Sequence, residues 1–277
     1  MKVDSRELLE FIQKIWKNWQ ETPRGGNCRG CKGSFHEKVA PVYSIIFQED
    51  MDWSRFLETY SGVMVLLHDG GMFADFVYKK NPNLNYESHE KYVGYLAKHI
   101  FSNLGSKFQK TSVNPTFQKL RAWLNELTTI DPNTVYYTNT IKCKHRENSL
   151  KQCRPYLFRE LDIMRPQIIL CFHETAFKSL YRYAREKKFA IHFVDYGMRP
   201  EIDISQLLSV DRDSDVHGNI IKMKKDERVQ YGIILFHPVY GPVNFKEHII
   251  KENRNTPYKS YKEAFQMTIQ KVLGYIH

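Results

Sequence analysis

Apolar and polar positions along this chain follow two periods, one typical of helices and one typical of buried strands. From Asp4 to Gln20 apolar residues recur every three or four positions, which predicts an amphipathic helix with a capping box at Asp4 and Glu7. Nearly continuous apolar runs instead predict strands that are buried on both faces, as in parallel sheets. These runs occupy 62–67, 135–141, 167–172 and 231–236.

Helical periodicity separates these apolar runs. It predicts helices over 88–104, 115–127, 149–164, 174–186 and 260–275. Strands that alternate with helices indicate an α/β fold, here a three-layer α/β/α sandwich with a mostly parallel central sheet of about four strands. The segment 195–230 has neither period and mixes Asp, Ser, Lys and Arg, so we predict an insertion or long surface loop there. We expect the whole chain, 1–277, to form a single domain.

Composition excludes several classes of protein. The chain has 277 residues, 42% of them hydrophobic, so it can bury a large core and is not disordered. It has no apolar run of about 18 residues, and its acidic N-terminal residues are atypical of a secretory signal, which predicts a soluble, cytoplasmic protein without a membrane partner. We also expect a monomer. The net charge of +10 attracts polyanions, of which nucleic acid is the commonest in a cell.

Four of the five cysteines fall into two pairs. Cys28 and Cys31 lie in a Gly-rich loop within 1–40, after the first predicted helix, and Cys143 and Cys153 flank a short polar segment. Two such pairs suit a [4Fe–4S] cluster or a structural zinc ion. A redox CxxC is disfavoured because no predicted strand leads into it. Unligated thiols are the remaining alternative.

The sequence around two cysteines predicts different environments for them. Ser149 and Gln152 have capping-box spacing, which predicts Cys153 in the first turn of a helix, where the helix dipole favours a thiolate. Cys171 lies inside the apolar run 167–172 and is predicted to be a small, buried core residue.

Polar groups follow three of the predicted strands, at the edge where parallel α/β sheets place their chemistry. His68-Asp69-Gly70-Gly71 follows the first strand, Asn139 lies near the end of the second, and His237 follows the last. Each has an ordinary structural explanation, since Asp-Gly-Gly forms turns, Asn satisfies backbone groups at strand ends and His before Pro caps loops. Their joint occurrence at one sheet edge favours a functional site.

Five short segments of the chain have the form of sequence motifs, namely LLHDGG at 66–71, KYVG at 91–94, VYYTNTIKC at 135–143, CRP at 153–155 and FHPV at 236–239. They resemble motifs of the uracil-DNA glycosylase superfamily, specifically its bacterial and archaeal iron–sulfur branch, known as families 4 and 5. The VYYTNTIKC segment is the most specific. The first motif lacks the family's Pro and has Asp for Glu, and His-Pro-Ser has become His-Pro-Val.

The resemblance implies a prokaryotic DNA glycosylase that acts on double- or single-stranded DNA and contains a [4Fe–4S] cluster ligated by the two cysteine pairs. Asp69 would take the place of the family's first-motif carboxylate, with Gly70 beside it. Tyr92 would stack on the extruded base, although packing in a helix core is as good an explanation of that residue. Asn139 would read the base edge, and His237 would contact the base oxygen.

The residue chemistry agrees with that activity. Breaking an N-glycosidic bond leaves positive charge on the sugar and negative charge on the base, which Asp69 and His237 would respectively stabilise. The loop 238–242 is stiff and apolar enough to wedge into the vacated stack. No Lys occupies a motif position suited to a Schiff base, which predicts a monofunctional enzyme.

The target base follows less directly from these residues. We expect uracil or a modified cytosine, for example glucosylated hydroxymethylcytosine. Two alternatives remain open, an antiviral glycosylase that acts only on bulky modified phage bases and a non-catalytic iron–sulfur DNA-binding module.

Overall fold

The computed structural model describes residues 3, 6–8, 10, 11, 14, 53–68, 113–127, 129–141, 149–195, 217–238, 240–251 and 258–276. The strands are β1 (Val63–Leu67), β2 (Tyr136–Asn139), β3 (Ile168–Phe172), β4 (Ala190–Asp195), β5 (Ile220–Lys225) and β6 (Arg228–Leu235). The α-helices are α1 (Trp53–Thr59), α2 (Val113–Asn125), α3 (Ser149–Met164), α4 (Glu174–Glu186), α5 (Gly241–Phe245) and α6 (Tyr261–Ile276). A 3₁₀ turn lies at Pro132–Thr134, and a π-helical turn lies at Lys246–Ile250.

The strands form a mostly parallel sheet in the order β2-β1-β3-β6-β5-β4. β1 pairs in parallel with β3, and β3 with β6, so that Val63 lies opposite Ile168 and Ile168 lies opposite Tyr231. Every residue of β1 and β3 is buried, which explains why both strands are apolar throughout. The predicted α/β class with a mostly parallel sheet is confirmed, although the part of the chain that the structure describes contributes six strands to the sheet and not about four.

The two unpredicted strands form an antiparallel edge of the sheet. β5 pairs antiparallel with β6, and β4 pairs antiparallel with β5. β5 and residues 228–230 of β6 fall within 195–230, so the prediction that most of that segment is an insertion or loop missed a strand there. The reason is that Lys224 and Lys225 face solvent at this edge, so the strand does not need to be apolar. Residues 196–216 lie outside the described part of the chain.

The predicted helices agree closely with those in the structure. Helices α3 and α4 have the predicted bounds, and α2 and α6 differ from theirs by two residues or fewer. The predicted helix 88–104 lies outside the described residues.

The chain divides into two compact units, each built from several stretches of sequence. The first comprises Met1–Ser61, His68–Pro115 and Pro132–Arg165. The second comprises Gly62–Leu67, Thr116–Asp131 and Pro166–His277. Because these stretches interleave, no single point along the chain separates the two units.

In the second unit, helices cover both faces of the sheet. Gly232 of β6 lacks a side chain where Leu180 of α4 lies, since an added Cβ would come within 2.7 Å of Leu180 Cδ2. The partner of Gly232 on β3 is Ile169, three residues before Phe172, so strand alternation turns Phe172 to the opposite face. On that face Phe172 stacks on Phe265 of α6, with ring centroids 6.2 Å apart. Helices α4 and α6 therefore lie on opposite faces, as the predicted three-layer sandwich requires.

In the first unit, the N-terminal segment packs on α3. Residues 6–8, 10, 11 and 14 are helical, in agreement with the helix predicted from Asp4. The ring of Phe11 lies 6.5 Å from that of Tyr156, and Glu7 forms an ion pair with Arg159. The start of the chain is thereby attached to the helix that bears one of the predicted cluster cysteines.

Candidate functional site

The carboxyl edge of the second unit's sheet has two histidines close to the strand ends. β3 and β6 run in parallel and end together at Phe172 and Leu235. His173 follows β3 directly, and His237 follows β6 after one further residue. The N–H of His173 donates to the carbonyl of Leu235 over 3.3 Å, so the hydrogen bonding between the two strands continues one residue beyond the end of β3. Such an edge is where α/β proteins place ligands and catalytic groups.

His237 is mostly buried, and its surroundings determine its ionisation. Burial, followed by the charges of His173 and Lys119, lowers the pKa of His237 to about 4. The imidazole is therefore neutral at physiological pH, with one ring nitrogen as a donor and the other as an acceptor. A neutral donor of this kind can stabilise a developing anion without first taking up a proton.

The backbone around His237 is held by the first turn of α5 and by α6. The N–H of Gly241 donates to the carbonyl of His237, and the hydroxyl of Tyr261 donates to the carbonyl of Phe236. Gly241 must lack a side chain here, because an added Cβ would come within 2.3 Å of the Tyr261 ring. Phe236 and His237 thus lie in a tightly packed corner.

His173 was missed by the sequence analysis. It caps α4, because its Nδ1 accepts the N–H of Thr175 at 3.1 Å. Its φ of 109° lies in a region that side chains disfavour. A signal was present, since His173 directly follows a buried apolar run just as His68 does.

In the first unit, Asn139 is the last residue of β2 and is buried. Two residues further on, the N–H of Ile141 donates to the carbonyl of His68 over 2.9 Å. The structure therefore brings together the segments that contain two of the predicted strand-end groups. A buried primary amide at such a position offers a donor and an acceptor in one plane.

Six of the predicted site residues lie outside the described residues. They are Cys28, Cys31, Asp69, Gly70, Tyr92 and Cys143.

Cys153 is the one predicted cluster ligand that the structure describes, and it is buried in α3. The prediction that it lies in the first helical turn was wrong. Helix α3 begins at Ser149, the residue that was predicted to cap it, so Cys153 falls in the second turn. Burial there still makes a thiolate dependent on a nearby cation or metal.

The described cysteines and acidic side chains give further information on metal binding. Cys171 is buried in β3, as predicted, and burial raises the pKa of its thiol. Neither Cys153 nor Cys171, the two described cysteines, forms a disulfide. Within the described ranges, no three His, Cys, Asp or Glu side chains are grouped so that they could hold a metal ion.

Among the helices that the structure describes, none is long and apolar enough to cross a membrane.

Comparison with known proteins identifies the family. No match was found among curated proteins. A sequence model of the uracil DNA glycosylase superfamily matches residues 93–251, which is more than half of the chain. The matched span includes Asn139, His173 and His237, the strand-end groups described above. The chain therefore belongs to the uracil DNA glycosylase superfamily.

Proposed function

We propose that this protein is a monofunctional DNA glycosylase that flips a pyrimidine out of DNA and hydrolyses its N-glycosidic bond. Members of the superfamily are DNA glycosylases, so membership supports the reaction class. The observation that carries the proposal is the position of His237, a largely buried imidazole that follows β6 at the carboxyl edge of the sheet, within the matched span. A base that departs as an anion needs a donor of this kind.

His237 acts on the departing base in this proposal. As the bond to the sugar breaks, its electron pair goes to the base, and negative charge develops on the base oxygens. A preorganised imidazole N–H stabilises that charge, and its effect is larger at a buried position than in water. Lys119, whose charge helps to lower the pKa of His237, adds positive potential near the same ring.

Asp69 acts on the sugar in this proposal. A carboxylate at this position stabilises the oxocarbenium-like sugar and orients a water molecule, whose oxygen forms the new bond to the anomeric carbon while one of its protons passes to the carboxylate. The assignment rests on the strand-end motif that begins at His68, with Gly70 beside the carboxylate. Because no Lys occupies a motif position suited to a Schiff base, none forms in this proposal, and the product is an intact strand with an abasic site.

Asn139 reads the edge of the base in this proposal, and Tyr92 stacks on its face. The buried amide of Asn139 pairs one donor and one acceptor with a pyrimidine, and an amide flip would match a cytosine derivative in place of uracil. Unpaired polar groups left by a wrong base would be costly at a buried position, which gives selectivity.

The segment after His237 is suited to fill the gap that a flipped base leaves. Tyr240 is 55% exposed and Val243 is 61% exposed, so two large apolar side chains face solvent at the start of α5. Inserted apolar side chains stabilise unstacked DNA. The ring of Tyr240 also lies 5.3 Å from that of His237, so we assign it to the gap next to the extruded nucleotide.

We propose that Cys28, Cys31, Cys143 and Cys153 hold one [4Fe–4S] cluster, with a structural zinc ion as the alternative. Cys153 lies in α3, the helix on which the N-terminal helix packs. The CxxC pair follows that N-terminal helix in sequence, so one cluster would connect the same two segments. Hydrolysis transfers no electrons, and we therefore assign the cluster a structural role.

The target base is uracil or a modified cytosine in this proposal. Gly70 and Gly71 replace a bulkier, Pro-containing stretch of the family motif, which removes side-chain volume and widens the accessible backbone conformations. A larger pocket would admit a glucosylated or hydroxymethylated cytosine, which favours an antiviral role.

The experiment uses the full-length protein in excess over duplexes that contain uracil, 5-hydroxymethylcytosine or its glucosylated form. Products are separated on a denaturing gel before and after alkali. We expect breaks at the target position only after alkali treatment, because an abasic site without strand cleavage is alkali-labile. Breaks before alkali would contradict monofunctional action. DNA binding without breaks under either condition would favour the non-catalytic DNA-binding module.

A further inference from the structure

Phe236, the residue that precedes His237, is held on three sides within the second unit. Its N–H donates to Nδ1 of His217 over 3.1 Å, and its carbonyl accepts the hydroxyl of Tyr261. Its ring is stacked on the His217 imidazole, with centroids 4.1 Å apart and planes at 10°. Both backbone polar groups and the ring of Phe236 are therefore engaged, which restricts the backbone that leads into His237.

His217 is itself enclosed by aromatic rings. It is 2% exposed, and the rings of Phe245 and Tyr261 lie 6.1 Å and 5.4 Å from its own. Burial lowers the pKa of His217 to about 3, so the ring is neutral and Nδ1 keeps the lone pair that accepts the Phe236 N–H. The neutral ring then has its proton on Nε2.

A residue that only filled space at this position would not need to be histidine. A phenylalanine would stack on Phe236 equally well and would carry no polar atoms into a buried aromatic cluster. What the histidine adds is an acceptor for the N–H of Phe236, one residue before the proposed donor to the base.

We propose that His217 is a positioning residue for His237 and acts on it through Phe236. This inference rests on the proposed function, in which His237 contacts the departing base. Misplacement of a reacting group by about 1 Å can lower a rate by about 100-fold, so an anchor of the preceding residue affects catalysis without contact to DNA.

Two variants separate the acceptor from the ring. His217→Phe keeps the stacked ring and removes the acceptor, whereas His217→Asn keeps an acceptor close to the place of Nδ1 and removes the ring. We expect His217→Phe to lower the single-turnover rate of base release about 10- to 100-fold, with little change in DNA affinity. His217→Asn should recover part of that loss.

A double-mutant cycle distinguishes positioning from a general structural role. If His217 acts through His237, His217→Phe should lower the residual rate of a His237→Ala protein by no more than about twofold. An equal loss in both backgrounds would overturn the proposal, as would an unchanged rate in folded His217→Phe protein. If His217→Phe does not fold, His217→Asn and Tyr261→Phe, which removes the other hydrogen bond to Phe236, are compared in the same cycle.

A readout without activity separates this proposal from the proposed function. NMR titration of ¹⁵N-labelled His237 should show a midpoint at about 4 in the native protein and a shift towards 6.5 in His217→Phe, as the ring leaves its buried place beside His173 and Lys119. If His217→Phe causes this shift but the native protein releases no base, the glycosylase proposal is refuted and the positioning role of His217 is retained. If the native protein releases a base but His217→Phe alters neither the rate of release nor the His237 midpoint, only the positioning role of His217 is refuted.

Discussion

The hydroxyl of Thr138 lies 3.1 Å from both carboxylate oxygens of Glu160, which is completely buried. The hydroxyl of Tyr136, two residues earlier on β2, donates to Oε1 of Glu160 over 3.0 Å. Both side chains lie on the face of β2 that is turned to α3, so strand alternation places Asn139 on the other face. Glu160 therefore fixes the strand that ends at the proposed base-reading residue.

Substitution of Glu160 should destabilise the protein through these hydroxyls. Glu160→Ala removes the acceptor and leaves the hydroxyls of Tyr136 and Thr138 buried without it, so we expect the free energy of unfolding in urea to fall by about 2–4 kcal/mol. Glu186→Ala, an exposed change at the end of α4, is the control and should alter it by less than about 0.5 kcal/mol. Equal effects of the two changes would contradict the structural role of Glu160.

The parallel part of the sheet could be predicted because of how it is buried. β1 and β3 are covered on both faces, so every position is apolar, and a run such as IILCF is recognisable without knowledge of its neighbours. β4 and β5 were missed for the opposite reason. β5 places lysines towards solvent. In the turn to β6 the left-handed position is occupied by Asp226, at φ 52°, and not by the glycine that would usually mark such a turn in a sequence.

The candidate site could be predicted only where the chemistry is local to a motif. Asn139 ends one apolar strand and His237 comes shortly after another, and both lie within segments that resemble a known family, so both could be predicted. The role of His217 depends on packing against Phe236, which is 19 residues further along the chain. Its own surroundings in the sequence, Asp-Val-His-Gly-Asn, are those of a polar loop.

Stability should fall as the pH is lowered from about 7 to about 5, a range above the usual titration of carboxylates. The pKa values of His217 and His237 are lowered to about 3 and about 4, against 6.5 in the unfolded chain. In this range the unfolded chain binds more protons than the folded protein, so acidification favours unfolding. The limiting slope is about 1.4 kcal/mol per pH unit for each histidine.

The histidines can be tested separately by urea unfolding at several pH values. His237→Ala should remove one of the two contributions and leave a shallower dependence on pH, whereas His217→Phe should remove its own contribution and, because it also releases the His237 ring, most of that of His237. A free energy of unfolding that is constant between about pH 7 and about pH 5 would contradict the burial of both neutral rings.

The catalytic assignments predict that substitutions of His237 and Asp69 lower the rate of base release more than they lower the affinity for DNA. His237→Ala should lose about 2–4 kcal/mol of transition-state stabilisation, a fall of about 30- to 1,000-fold in single-turnover rate. Asp69→Asn should lose most base release and keep its affinity for DNA, because the carboxylate acts on the transition state. His192→Ala, an exposed change on β4, is the control and should leave the rate unaltered. An unaltered rate of base release in Asp69→Asn would mean that Asp69 is not the catalytic carboxylate.

Metal analysis tests the cluster. Anaerobically purified protein should be brown and should contain iron and acid-labile sulfide in the amounts of one [4Fe–4S] cluster per chain. Cys153→Ser should lose the iron, whereas Cys171→Ala should keep it, because Cys171 is a core residue whose thiol pKa is raised by burial. Stoichiometric zinc without iron would contradict the cluster and support the zinc alternative.

Direct detection of the freed base tests the central claim. Duplexes that contain uracil, hypoxanthine, 5-hydroxymethylcytosine or glucosylated hydroxymethylcytosine are incubated with the protein, and the supernatant is analysed by mass spectrometry. We predict stoichiometric release of uracil or of at least one modified cytosine, with release abolished by Asp69→Asn and strongly slowed by His237→Ala. Release of uracil alone would refute the enlarged pocket. The absence of any free base from all four duplexes, in protein that is folded and binds DNA, would contradict the assignment of this chain as a pyrimidine DNA glycosylase.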